Sequence, residues 1–563
     1  MPPGLERGSA GRHPEPVSAP SEEVARSAAR PEGWPSYSPG PFFDEILGPD
    51  GRPRPAAATL WRHLAALGPR ALAERQAAAE REIRAVGVTY TVYEDSGGVE
   101  RPWPFDVIPR IMPVTEWQRI EAGLVQRLTA LNLFIDDVYH DQRSLAAAVV
   151  PADLVRGAPG YHPECRGIDP PGGIWAHICG SDLVRDDEGT FCVLEDNLRV
   201  PSGASYLLEN RMVTKHIFPE LFRHYSIEPV DPYVGRLADL LSAVSPSTSD
   251  PTVVVLTPGI HNSAYFEHAF LALQLGVELV EGRDLLVGDD DRLYARTIEG
   301  LQRVDVVYRR IDDAYLDPEV FRADSLLGVP GLMRAWRSGQ VALVNAPGSG
   351  IADDKRIYPF VPDIIRFFLA EDPILATVPT LHCADDQSRR YVVDNLEGLV
   401  MKPANEAGGT GVLVGTQATA TQLSDAVKAI NHDPSRWIAQ PIVSLSTAPT
   451  LCDGEVVARH VDLRPFILLG PERAYVTQGG LTRVARRPGS LVVNSSQGGG
   501  SKDTWVVDTT LRPPRPLSRS HAMTSVAASV DASNAVAPPT VGPATSATGV
   551  PPSRTQSTRT IQS

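Results

Sequence analysis

The sequence predicts an α/β protein, and three observations carry that class. Residues 253–257 (VVVLT), 263–275 and 277–281 run as apolar strand, helix and strand, the pattern of a parallel α/β unit. Upstream, 56–83 and 115–140 space their apolar residues by three and four, which predicts two long amphipathic helices. Downstream, 437–507 is mainly short strands: WIAQPIV, EVVARHV, RPFILL, RAYVTQG and SLVVNSS.

In chain order, residues 1–40 are rich in Pro, Ala, Ser and Glu, lack periodicity and are expected to be a disordered tail. The helical block 41–245 also holds strand-like runs at 174–185 and 190–198 around the turn DDEG at 186–189, a predicted hairpin, and then a helical stretch at 204–224. SPSTSDP at 245–251 is a linker into the α/β unit 250–345, which adds a strand at 304–308. Residues 346–508 form a further block: 341–372 gives strand, Gly-containing loop and helix, 391–402 and 411–416 flank a second Gly-rich loop, and 421–431 is helical. Residues 511–563 hold no Phe, Tyr or Trp and are expected to be a second disordered tail. No internal repeat points to a solenoid or propeller.

Acidic residues outnumber basic ones by 68 to 53, a formal charge of −15, so a phosphate-backbone partner such as nucleic acid is not expected. The five cysteines form no CxxC pair; their odd count without metal spacing suits reduced thiols, and no zinc site is predicted. No apolar run approaches the ~18 residues of a membrane helix, and the first residues lack a signal-peptide core, so the expectation is a cytoplasmic protein without a membrane partner.

Only five of the bases are lysines: Lys215, Lys355, Lys402, Lys428 and Lys502. A lysine kept in so arginine-biased a chain suggests a task for a compact point charge, such as a phosphate oxygen. Lys215 and Lys428 sit in helical stretches as surface charges. Lys402 ends a strand ahead of Gly408, Gly409, Thr410 and Gly411, a loop whose N–H groups could wrap anionic oxygens and which reads equally as a hairpin turn. It is not a Walker A loop, and NAPGSG at 345–350 does not complete a dinucleotide fingerprint. Lys355 follows a second Gly loop, GIADDK, where a helix start capped by Asp353 or Asp354 is the alternative.

The hairpin suggests a metal site. Period two puts Glu195 and Asn197 on one face and Asp196 on the other. With a four-residue turn, Arg185 opposes Thr190 and Asp182 opposes Val193, so Asp182 joins Glu195 and Asn197. Oxygen ligands without His or Cys favour Mg²⁺; a solvated sheet face is the alternative. Asn262, beside His261 and Ser263, and Arg309 and Arg310 follow strands, at the carboxyl ends where open α/β sheets bind ligands. Either arginine could grip a substrate carboxylate. A helix cap and ion pairs with Asp312 or Asp313 are the structural alternatives.

Together, a KP followed by a Gly loop, an earlier DK and a strand ending in ExN resemble the ATP-grasp superfamily of carboxylate–amine ligases. The order differs from the usual one, because Glu195 and Asn197 precede both lysines; it is similar to that of the circularly permuted ATP-grasp type 2 family. The resemblance covers about 41–508, through LEDNLRVPSG, LTPGIHNSAYFEH, VDVVYRRIDD, NAPGSGIADDK, MKPANEAGGTG, HVDLRPF and NSSQGGGSKDTW. It implies a circularly permuted ATP-grasp core, with a Rossmann-like pre-ATP-grasp unit at 250–345 and a helical N-terminal block. It also implies that strands within 437–507 lie beside the hairpin 174–198 in one sheet. By the same resemblance Lys355 and Lys402 hold ATP phosphates, the loop 408–411 closes over them and Gln440 falls at the adenine hinge. Asp182, Glu195 and Asn197 bind Mg²⁺, and Arg199, Arg464 and Arg483 belong to the catalytic set. The implied reaction is ATP-dependent ligation of a small-molecule or peptide carboxylate to an amine through an acyl phosphate; a phosphotransferase and a nucleotide-binding scaffold without turnover are the alternatives.

Overall fold

Residues 464–469 alternate between two apolar environments: Phe466 and Leu468 enter one buried cluster, Ile467 and Leu469 the other. Period-two side chains on a strand covered from both faces produce this division. The strand is Arg464–Leu469 in a computed structural model that describes residues 37–94, 97–246, 250–404, 411–493 and 499–509, all within one compact unit. It lies mid-way in a seven-stranded sheet ordered Ala376–Thr377, Phe191–Asn197, Ile178–Arg185, Arg464–Leu469, Ala474–Val484, Gly500–Val507 and Phe105–Pro113. The pairings are antiparallel except at the two edges. The helix Val114–Tyr139 covers one face through Trp117, Leu124, Leu131 and Ile135, and the helices Ala58–Val86, Ala204–Ile217 and Pro232–Ala243 cover the other. Strands buried on both faces explain why Ile178–Arg185 and Gly500–Val507 are buried along their whole length.

Two smaller sheets flank this one. The strands Ala342–Val344, Val306–Arg309, Val253–Leu256 and Glu278–Val280 form the expected parallel Rossmann-like unit, with the helix Tyr265–Leu275 closed by Gly276 in the left-handed region. A three-stranded meander over residues 285–304 was not foreseen. The second flank is a four-stranded antiparallel sheet of Leu381–His382, Trp437–Pro441, Leu399–Pro403 and Leu413–Val414. Helices Asp386–Asp394 and Ala420–His432 complete its separate core of Cys383, Val392, Leu399, Met401, Ile430 and Ala439.

Several expectations shift. The segment 204–224 is helical only to Ile217, because Pro219 disfavours helical geometry in the residue before it; a short 3₁₀ turn, Leu221–Arg223, follows. Of the strands in 437–507, Trp437–Pro441 joins the smaller sheet and Thr447–Cys452 pairs with Glu455–His460, so only those from Arg464 onward reach the hairpin. Residues 490–493 are not strand, and the rest of SLVVNSS lies outside the described residues. So do residues 1–36 and 510–563. Tyr37, assigned to the N-terminal tail, is buried, donates to Asp44 and packs on Trp61.

The hairpin register also differs from the expected one. Arg185 pairs with Phe191, because Gly189 takes φ +86° and closes a three-residue turn whose Asp186 carboxylate accepts the Glu188 and Thr190 N–H groups. A bulge between Leu183 and Asp182 then leaves Leu194 unpaired and brings Asp182 opposite Glu195. The two differences offset each other, and Asp182 still faces Glu195.

One side chain ties the Rossmann-like unit to the large sheet. Asn345 accepts from the Ile178 N–H (2.8 Å) and donates to the carbonyls of Ile178 (2.7 Å), Leu198 (2.8 Å) and Arg199 (3.2 Å). Asn345→Ala would strand these buried backbone groups, at a cost of about 3 kcal/mol. The measurement is urea unfolding, with a lowered midpoint at unchanged slope as the expected outcome.

Candidate active site

The hairpin and the strands from Arg464 onward meet in a ladder of charge. Asp182, 1% exposed, takes a bidentate grip from Arg464 (Nε 2.5 Å, Nη2 2.7 Å) and a third bond from Arg483 Nη2 (2.7 Å). Burial alone would raise the Asp182 pKa, but the two guanidiniums hold it well below the usual carboxylate range. Arg483 in turn is held by Asp462, whose Oδ1 lies 3.0 Å from Nε. Glu195 lies against Asp182, 25% exposed, with Lys355 Nζ 3.7 Å from its carboxylate.

Lys402 reaches the same place from the smaller sheet. Its strand pairs with Trp437–Pro441, so Lys402 and Gln440 share a face; Nζ donates to Gln440 Oε1 (2.7 Å), and Gln440 Nε2 donates to Thr380 Oγ1 (2.9 Å). Burial lowers the Lys402 pKa to about 8, with Glu195 and Asp182 opposing the shift and Lys355 and Arg483 adding to it. Residues separated along the chain by hundreds of positions thus share one electrostatic site: four cations, Lys355, Lys402, Arg464 and Arg483, against three carboxylates, Asp182, Glu195 and Asp462. The excess of positive charge suits a polyphosphate.

The other expected residues divide. Gly408, Gly409 and Thr410 lie outside the described residues; Gly411 has φ +71°, and a Cβ there would stand 2.9 Å from Pro403, so only glycine fits beside the Lys402 strand. Arg199, 30% exposed, is held by Asp353 (3.0 Å) and Asp312 (3.1 Å) at the exit of the hairpin. Asn197 donates to the Gly180 carbonyl (3.2 Å), which leaves its own oxygen available to a cation.

Arg309 and Arg310 do not form the expected substrate grip. Arg309 is fully buried, bonded to the carbonyls of Asn345, Ile311 and Ala346 and paired with Asp313. Arg310 holds the Pro201 carbonyl and Glu267 (2.8 Å), whose other oxygen accepts from Gly203 N, Ser205 N and Ser205 Oγ. Arg310 thereby anchors the chain leaving the hairpin, while Arg309 braces the strand ends of the Rossmann-like unit. Asn262 accepts from Ala264 N (2.9 Å) in the turn before the helix Tyr265–Leu275, whose N-cap is Ala264 and carries no side-chain cap bond. Lys502, kept in a Gly-rich motif, is buried with Asp106 and the Ile108 and Pro449 carbonyls. Asp462 lies within the quoted motif HVDLRPF but was given no role from sequence, and Thr380 carried no signal beyond its place ahead of a strand.

Residues 109–485 match the family described as circularly permuted ATP-grasp type 2. The chain belongs to this family. An uncharacterized protein of Synechocystis sp. is 55% identical over 473 residues, covering 84% of this chain and 98% of that one. A Frankia alni protein named "Putative glutamate--cysteine ligase 2-3" is 44% identical over 471 residues, 82% of this chain and 54% of its own, so this chain spans about half of that relative. Among solved structures, an apo glutathione synthetase-like effector from Globodera pallida aligns with TM-score 0.50 at 12% identity over 78% of this chain and 98% of that one, which shows likeness of fold. In this ATP-grasp protein the hairpin and the strand that carries Arg464, remote in sequence, are sheet neighbours, and the Arg483 strand lies next in order.

Two outcomes test these assignments. Arg310→Ala leaves Glu267 buried and unpaired, so it is expected to lower unfolding free energy by about 3–5 kcal/mol in urea titrations, with no change confined to a substrate constant. Because burial lowers the Lys402 pKa to about 8, any nucleotide affinity measured by calorimetry is expected to fall as pH rises from 7 to 9.5, with proton uptake on binding in that range. In Lys402→Met the affinity is expected to be weak at every pH, and the dependence lost.

Proposed function

We propose that this ATP-grasp protein is an ATP-dependent ligase that joins a substrate carboxylate to an amine. The observation that carries the reading is the meeting of Lys355 and Lys402 with Glu195 and the arginines of two adjacent strands. The name of the Frankia relative supports the same class. In the proposed sequence a carboxylate oxygen attacks the γ-phosphorus, the bond to the β-phosphate oxygen breaks, and ADP leaves an acyl phosphate. The amine nitrogen then attacks the carbonyl carbon, phosphate departs, and the nitrogen loses a proton.

Lys355 and Lys402 would hold phosphate oxygens, and Arg464 and Arg483 would face the charge that develops during transfer. Fixed cations in a largely buried site need little reorganisation as that charge moves. Glu195 and Asn197 fit Mg²⁺, which takes one or two carboxylates together with substrate phosphates. Asp182 would join them only by exchanging an arginine contact, since both its oxygens are engaged. Among the described residues no three His, Cys, Asp or Glu side chains form a metal cage. When bound, the metal would neutralise phosphate charge and orient the γ-phosphoryl group. No helix among the described residues is long and apolar enough to cross a membrane, and the substrates proposed are small molecules or peptides.

Saturating ATP with Mg²⁺, at about 100 times its dissociation constant, is expected to stabilise the protein by about 2.7 kcal/mol, seen as a rise in melting temperature that Lys402→Met abolishes. An ADP-release screen across amino acids and short peptides would then name the acceptor, and Glu195→Gln is expected to bind ATP but not turn it over. A melting temperature indifferent to nucleotide would overturn the reading.

A further inference from the structure

Asp462 is built into the site from three sides. Its N–H donates to the Arg483 carbonyl (3.1 Å), its own carbonyl accepts from Arg110 Nη1 (3.1 Å), and the adjacent Leu463 bridges to Leu183. Arg110 is itself buried and paired with Glu45. The backbone position of Asp462 is therefore fixed by both the hairpin and the strand that carries Arg483.

Its 1%-exposed carboxylate spends both oxygens on one partner. Oδ1 and Oδ2 each lie 3.0 Å from Arg483 Nε, and Oδ2 also takes Nη2. Nη2 is shared with Asp182. The hydrogen bonds among the described residues thus engage Nε and Nη2 of the Arg483 guanidinium and leave Nη1 with no partner among them. Arg483 is within electrostatic reach of Glu195 and Lys402, the groups assigned to metal and phosphate. A planar guanidinium clamped along one edge presents its remaining N–H groups in a fixed direction.

We propose that Asp462 is a positioning residue: it holds Arg483 so that the guanidinium's free edge meets the terminal phosphate of the nucleotide and distinguishes ATP from ADP. The inference rests on the nucleotide reading and adds a residue that touches neither nucleotide nor metal. Its signature is selective, because an arginine that meets only the terminal phosphate affects ATP and not ADP.

The test measures ATP and ADP dissociation constants by calorimetry, with Mg²⁺ present, on the full chain. Arg483→Gln and Asp462→Asn are each expected to weaken ATP by about tenfold while ADP stays within about twofold. In the double variant no further loss is expected, since each change removes the same contact. Asp462→Glu keeps the charge but displaces it, serves where Asp462→Asn unfolds, and is expected to show the same selective loss. If Asp462 variants weaken ATP and ADP together, or if Arg483→Gln keeps the preference for ATP, the inference is overturned. A wild-type protein that binds neither nucleotide overturns the nucleotide reading instead.

Discussion

The site depends on one buried ion pair, Asp182 with Arg464, which joins strands 282 positions apart. A carboxylate taken out of water with nothing beside it loses several kcal/mol of hydration, so the hairpin can bury Asp182 only where a cation meets it. Arg464 meets that requirement when the strand Arg464–Leu469 pairs antiparallel with Ile178–Arg185, and Arg483 reinforces it from the next strand. The same pairing that neutralises the carboxylate assembles the cluster. Folding stability and site geometry are therefore two consequences of one contact.

The surrounding architecture makes that contact rigid. Apolar clusters press on both faces of the large sheet, and its strands gain side-chain packing only in the observed register, since a one-residue slip would exchange their two faces. Asn345 fixes the start of the hairpin strand and the residues after its end to the Rossmann-like unit, and Arg310 holds the Pro201 carbonyl in the loop that follows. Lys402, by contrast, arrives on a small sheet with a separate core.

Much of the site was legible because its chemistry is local in sequence. Lys355 and Lys402 stand out in an arginine-biased chain, and alternation along FCVLEDN separates Glu195 and Asn197 from Asp196, which indeed turns away to Arg127 and Ser181. The hairpin register was less secure. A turn one residue shorter and a compensating bulge kept Asp182 on the face of Glu195, now directly opposite that residue rather than opposite Val193. Arg309 and Arg310 failed as a substrate grip for a reason that one-dimensional spacing does not carry: an arginine at a strand end is available to a ligand only if no buried carboxylate lies above it, and Asp313 and Glu267 do.

The sequence by itself determined the α/β class, the long helices and the strand–helix–strand unit, the family resemblance and the lysine and hairpin residues, because each follows from periodicity, residue type or short motifs; the strands at 89–113 and the meander at 285–304 it did not show. Tertiary structure alone decided which strands are neighbours, which carboxylate each arginine serves, that Asp462 braces Arg483, and that Lys402 sits deep enough for burial to lower its basicity. Those properties depend on burial and on distances between residues far apart in the chain. Hydration lost on burial, and the partners that replace it, exist only once the chain has folded.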